Sequence, residues 1–125
     1  MEIAHIFNHL VGALKLNLTT IAKTDLYSNA IILFISGKQR VMTPFDTLNF
    51  HKVCRDFHET TLSFDEIEKI YNQVSFSHTG FATLVANVSG GQLSVDDVIE
   101  FMQNETRLTA KEAVRLGLAH GIVTP

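Results

Sequence analysis

Ile3, Phe7, Leu10, Val11 and Leu14 recur at three- and four-residue spacing near the start of the chain. That is the apolar stripe of an amphipathic helix over residues 2–14. The period then changes. Leu14, Leu16 and Leu18 alternate with Lys15, Asn17 and Thr19, which predicts a strand running to about Ile21. Lys23–Tyr27 is polar and reads as a loop. Ser28 precedes the apolar run Ala30–Ile35, and Gly37 follows it. A serine N-cap and a glycine past the end punctuate a short, buried helix. Arg40–Met42 and Leu48–Phe50 read as short strands around a turn at Pro44 and Asp46.

From residue 63 the pattern is helical. Ser63-Phe-Asp-Glu66 is a capping box, and Phe64, Ile67, Ile70, Tyr71 and Val74 follow on one face, continued by Phe81, Leu84, Val85 and Val88. Gly80 would kink this helix or divide it in two, and Gly90-Gly91 stops it. Ser94-Val-Asp-Asp97 opens another helix to about Gln103. Thr109-Ala-Lys-Glu112 is a further capping box, opening a helix that ends at Gly117. The order predicts an α/β fold with a parallel or mixed sheet and a helical carboxy-terminal half.

Composition narrows the function classes. The 125 residues are 46% hydrophobic and 18% charged, with nine Phe and a mean hydropathy of +0.15. They make one domain, residues 1–125, too apolar to be disordered. The net charge is −3 with no run of like charges, so the footprint of a nucleic-acid binder is absent. Cys54 is the sole cysteine, which excludes an internal disulfide and a cysteine-based zinc site. Ala30–Ile35 falls far short of the roughly 20 apolar residues of a membrane span. The first residues lack the basic stretch of a signal peptide. A cytoplasmic protein is the expectation.

Candidate chemistry is sparse. Histidines stand at 5, 9, 51, 58, 78 and 120. His5 and His9 have zinc-compatible spacing, but no glutamate follows His5 and no third ligand is near, so they read as a solvated helix face. Cys54, close to Phe50 and Phe57, reads as a small buried apolar residue. Asn17-Leu-Thr19, Asn87-Val-Ser89 and Asn104-Glu-Thr106 match the glycosylation pattern without any mark of secretion. Ser89-Gly-Gly-Gln lacks the lysine and spacing of a phosphate-binding loop. Ser28 and His51 remain. Ser28 begins a predicted helix, where free N–H groups favour an oxyanion. His51 follows a predicted strand, a rigid place from which a base can be aimed.

Residues 18–53, LTTIAKTDLYSNAIILFISGKQRVMTPFDTLNFHKV, resemble the central segment of ClpP-type peptidases, the proteolytic subunits of Clp proteases. The matching features are Thr20-Ile21, Ser28, the following apolar helix, Gly37, Arg40, Pro44 and the Phe50-His51 pair. Residues 104–123, NETRLTAKEAVRLGLAHGIV, are similar to the family's closing segment. The resemblance implies a ClpP/crotonase-like core with Ser28 as nucleophile, His51 as general base and Glu105 as the third acid. The Asn29 backbone N–H would be an oxyanion donor. Residues 1–60 would form the α/β core, 61–104 the handle-like helices and 105–125 the closing segment. The chain is expected to start at about the helix after the family's Gly-rich oxyanion loop, and so to lack that loop and the strands before it. Tyr27-Ser28-Asn29-Ala30 stands where the family has small residues and a glycine, and Glu105 replaces an aspartate. Gly117-Leu118-Ala119-His120 replaces Gly-Leu-x-Asp.

The implied function is peptide-bond hydrolysis by a ring-like homo-oligomer acting on peptides or unfolded proteins. An ATP-dependent unfoldase is the implied partner; no metal, organic cofactor, nucleic acid or membrane is. The alternative is a catalytically silent oligomerisation or interaction module on the same fold. A crotonase acting on acyl-CoA is a weaker third reading.

Overall fold

The computed structural model describes residues 2–54 and 61–124. The fold is mixed α/β. Helix α1 (Glu2–Ala13) leads to strand β1 (Thr19–Ala22), strand β2 (Leu26–Tyr27) and helix α2 (Asn29–Ile35). Strands β3 (Gln39–Met42) and β4 (Thr47–Asn49) follow, then the long helix α3 (Phe64–Val88) and helix α4 (Val95–Gln103). Strand β5 (Arg107–Thr109), helix α5 (Ala110–Arg115) and strand β6 (Gly121–Ile122) close the chain.

The strands form two three-stranded sheets, ordered β1-β3-β6 and β2-β4-β5. The first is parallel throughout; in the second, β2 runs parallel and β5 antiparallel to β4. One core lies between sheets and helices, with Ile31, Ile32, Met42, Leu48, Val85, Val98, Met102, Leu108 and Leu118 fully buried. Burying side chains of this size contributes roughly 1.5–3 kcal/mol each.

Several elements differ from the sequence pattern. The first strand begins at Thr19, because Lys15 turns the chain with a φ of 52° and residues 14–18 form an irregular link. The polar segment before Ser28 contains β2, held by pairing with β4 rather than by its own apolar pattern. Gly80 does not divide α3, which runs unbroken for 25 residues. Glycine costs about 1 kcal/mol in a helix interior, and the packing of Phe81, Ala82, Val85 and Ala86 offsets it. The capping boxes at Ser63, Ser94 and Thr109 are all formed. The amino-terminal part of α3 stands bare, with Phe64, Ile67, Tyr71 and Phe76 exposed.

Arg40 locks the closing segment onto β3. Its buried guanidinium donates to the carbonyls of Gly37, Gly117 and Leu118 at 2.9, 3.1 and 2.8 Å. No carboxylate among the described residues pairs with it. Desolvation lowers its pKa from the ordinary value, and the three carbonyl dipoles stand in for a counter-charge.

Candidate active site

Ser28 joins β2 to α2. Its backbone has φ 49° and ψ −109°, and its side chain makes no capping bond to the helix. The sequence pattern makes Ser28 an N-cap, which takes extended backbone and an Oγ bonded to the second or third N–H. The structure instead gives a tight strand-to-helix turn in a sparsely populated region, a conformation that costs on the order of 1–3 kcal/mol in a non-glycine residue. Two anchors hold it there. On one side β2 pairs with β4; on the other α2 buries Ile31, Ile32, Phe34 and Ile35.

His51 follows the end of β4. Phe50 before it is buried, edge-on to Phe81 at 6.0 Å and tilted against Phe101 at 5.5 Å. The imidazole itself is exposed, with Nδ1 3.0 Å from the Lys52 carbonyl oxygen. A carbonyl can only accept, so Nδ1 donates and carries the ring's proton. In the neutral ring this leaves the lone pair on Nε2, the tautomer a general base needs.

The second sheet sets these residues beside one another. Leu26 and Tyr27 pair with Leu48 and Asn49, so the next step along β2 places Ser28 beside Phe50. On the other side of β4, Asn49 pairs with Arg107, and the Phe50 N–H donates to the Thr106 carbonyl at 2.9 Å. Glu105 falls outside this register: it lies in the turn that ends α4, its N–H bonded to the Met102 carbonyl at 3.3 Å. Ser28 and His51 thus follow the carboxyl ends of the parallel strands β2 and β4, while Glu105 precedes the antiparallel β5. Ligand sites of open α/β sheets lie at such ends.

Ser28, Asn29 and His51 share a cleft of about 200 Å³ with Lys52, Val53, Cys54, Phe81 and Met102. Phe81 and Met102 are buried and give it an apolar floor. Cys54 is exposed in this cleft, which corrects the expectation of a buried thiol: α3 and α4 fill the space beneath Phe50 before the chain reaches residue 54. Phe57 and His58 lie outside the described residues.

Glu105 does not line the cleft. It is exposed, has a φ of 51° and no hydrogen bond to His51; likewise none joins Ser28 Oγ to His51. In this arrangement the Lys52 carbonyl, not Glu105, orients the imidazole.

A polar network that the sequence pattern does not reveal supports the site. Asn49 is buried between the strands. Its Nδ2 donates to the Leu26 carbonyl at 3.1 Å and to Thr47 Oγ1 at 2.8 Å, while its Oδ1 accepts from Arg107 Nε at 3.0 Å. One side chain thereby ties β2, β4 and β5 together. Asp25 adds a second tie, its Oδ1 accepting from the Thr47 N–H and hydroxyl at 3.0 and 2.9 Å. An asparagine inside a short strand is the one available signal, because burial there demands partners for its amide.

No group of three or more metal-ligating side chains occurs among the described residues, and none of their helices is long and apolar enough to cross a membrane. No protein-family model matches the chain, and comparison with curated proteins finds no match.

Proposed function

We propose that the chain is a serine peptidase built on a ClpP/crotonase-like core. The observation that carries the reading is the strained strand-to-helix turn at Ser28, beside His51 in one cleft. Strain in a residue is retained where the surrounding structure enforces it, and such turns present a serine Oγ clear of the backbone. The resemblance of residues 18–53 and 104–123 to ClpP-type chains adds to it.

In this reading Ser28 Oγ attacks the scissile carbonyl carbon while His51 Nε2 takes its proton. The Asn29 N–H donates to the developing oxyanion. The C–N bond breaks as Nε2 gives the proton to the departing amine, leaving an acyl ester on Ser28. Water, deprotonated by the same nitrogen, releases the acid and restores the serine. Nδ1 stays bonded to the Lys52 carbonyl. The cleft's volume and its Val53, Phe81 and Met102 walls fit a medium-sized apolar side chain next to the scissile bond. The bare face of α3 supports assembly with a second copy.

A silent assembly module is the second reading, favoured by the absence of a Ser28–His51 hydrogen bond. Fluorogenic peptides with an apolar residue before the scissile bond separate the two. Hydrolysis by wild type that disappears in Ser28→Ala supports the peptidase. A rate lower by roughly 10²–10³ than that of a two-donor oxyanion site is expected, because Asn29 supplies a single donor. Equal background rates in wild type and Ser28→Ala would leave the module.

A further inference from the structure

Strand β1 is an edge strand, and the surface around it is unusually apolar. The Leu18 and Ala22 carbonyls accept bonds from the β3 side, at 2.8 Å from Lys38 and 3.1 Å from Thr43. Successive residues of a strand alternate the direction of their backbone groups. Thr19 and Ile21 therefore turn both N–H and C=O away from the sheet. Nothing among the described residues covers them.

Beside that edge, α1 carries two apolar stripes. Ala4 and Val11 are buried, while Ile3, Ile6, Phe7, Leu10 and Leu14 are exposed. Phe7 borders a groove of about 560 Å³ shared with Leu18, Ile21, Leu33 and Phe34. With Leu16, Ile21 and Leu33 half-exposed, this face leaves on the order of 800 Å² of side-chain surface bare, the share one partner gives to a standard interface. Isolated domains rarely expose a continuous apolar patch of that size.

We infer that the β1 edge pairs antiparallel with the β1 edge of a second copy, the groove beside it covered by the partner's α1. Two features favour this occupant. First, the free groups are self-complementary. An antiparallel hydrogen-bonded pair needs residues that offer both N–H and C=O, and Thr19 facing the partner's Ile21, with Ile21 facing the partner's Thr19, supplies two such pairs about a two-fold axis at Thr20. Second, residues 16–22 and the exposed α1 stripe contain no charged side chain, so the face meets its own copy without like-charge repulsion. The two sheets would join as one six-stranded sheet. This contact is separate from the α3 face and independent of the peptidase reading.

Light scattering on purified protein tests it. Ile67→Lys with Tyr71→Lys sets like charges in the middle of the bare α3 face and disfavours its self-association, and this double variant should remain a dimer at micromolar concentration. Adding Ile21→Pro, which deletes only an outward-facing N–H, should give a monomer with an unchanged circular-dichroism spectrum. Ile21→Lys, at a half-exposed position, should do the same if the proline variant fails to fold. A monomeric double variant, or a dimer that persists through both Ile21 substitutions, would overturn the inference.

Discussion

The Arg40 backbone N–H donates to His120 Nδ1 at 2.9 Å, and the His120 N–H returns a bond to the Arg40 carbonyl at 2.7 Å. Their side chains meet as well, with Arg40 Nη2 3.5 Å from His120 Nε2. A ring nitrogen that accepts carries no proton, so His120 is neutral with its proton on Nε2. Protonation would remove the acceptor and set two cations side by side where the chain enters β6 alongside β3.

That relationship gives stability a pH dependence. Partial desolvation first, and the Arg40 charge second, lower the His120 pKa from its ordinary 6.5. Well above 6.5 the ring is neutral in both folded and unfolded chains and contributes nothing. As the pH falls from 6.5 through the lowered folded value, the unfolded chain takes the proton first and stability is lost. Thermal midpoints measured on both sides of pH 6.5 should fall more steeply for wild type than for His120→Asn, whose amide oxygen can accept from Arg40 without titrating. The imidazole is exposed, so added salt should shrink the difference. Parallel curves for the two proteins would remove His120 from this role.

Gly117 and Gly90 make a matched pair of substitutions. Both have positive φ, 78° and 65°. A Cβ on Gly117 would run into the Ser89 carbonyl, whereas one on Gly90 meets open space. Gly90→Ala should therefore cost only the left-handed backbone penalty, roughly 1–2 kcal/mol. Gly117→Ala should cost more than that, because the end of α3 must shift as well. Denaturant unfolding of the two variants checks the order. Equal losses would mean that the close approach of Gly117 to α3 carries no weight.

Much of the architecture is legible in residue spacing. Three capping boxes mark the starts of α3, α4 and α5, and glycines follow the ends of α3 and α5; these signals are local. Strands β2, β5 and β6 escape the same reading. Each is two or three residues long, too short to show a period, and each is fixed by a distant partner. The Lys23–Tyr27 segment becomes strand-like only because β4 lies beside it. The site divides in the same way. Ser28 and His51 stand out by their positions around predicted elements, yet the conformation of Ser28 depends on β2 and α2 being anchored independently. Asn49, Arg107 and Asp25 act through contacts between strands that spacing along the chain does not show, and only an asparagine inside a short strand hints at them. Cys54 reads as buried because it neighbours Phe50; the end of β4 turns it outward instead.

The role of Ser28 is tested most directly by covalent labelling with a fluorophosphonate probe, mapped by mass spectrometry. A serine that only begins a helix has no base to deprotonate it and reacts no faster than other exposed serines. If His51 Nε2 deprotonates Ser28, the probe should modify Ser28 selectively, and the label should vanish in Ser28→Ala and in His51→Ala. Glu105→Gln should retain most of the labelling, since the Lys52 carbonyl already holds Nδ1. Labelling of Ser28 at the same rate in wild type and His51→Ala, or none in the folded wild-type protein, would contradict the catalytic reading.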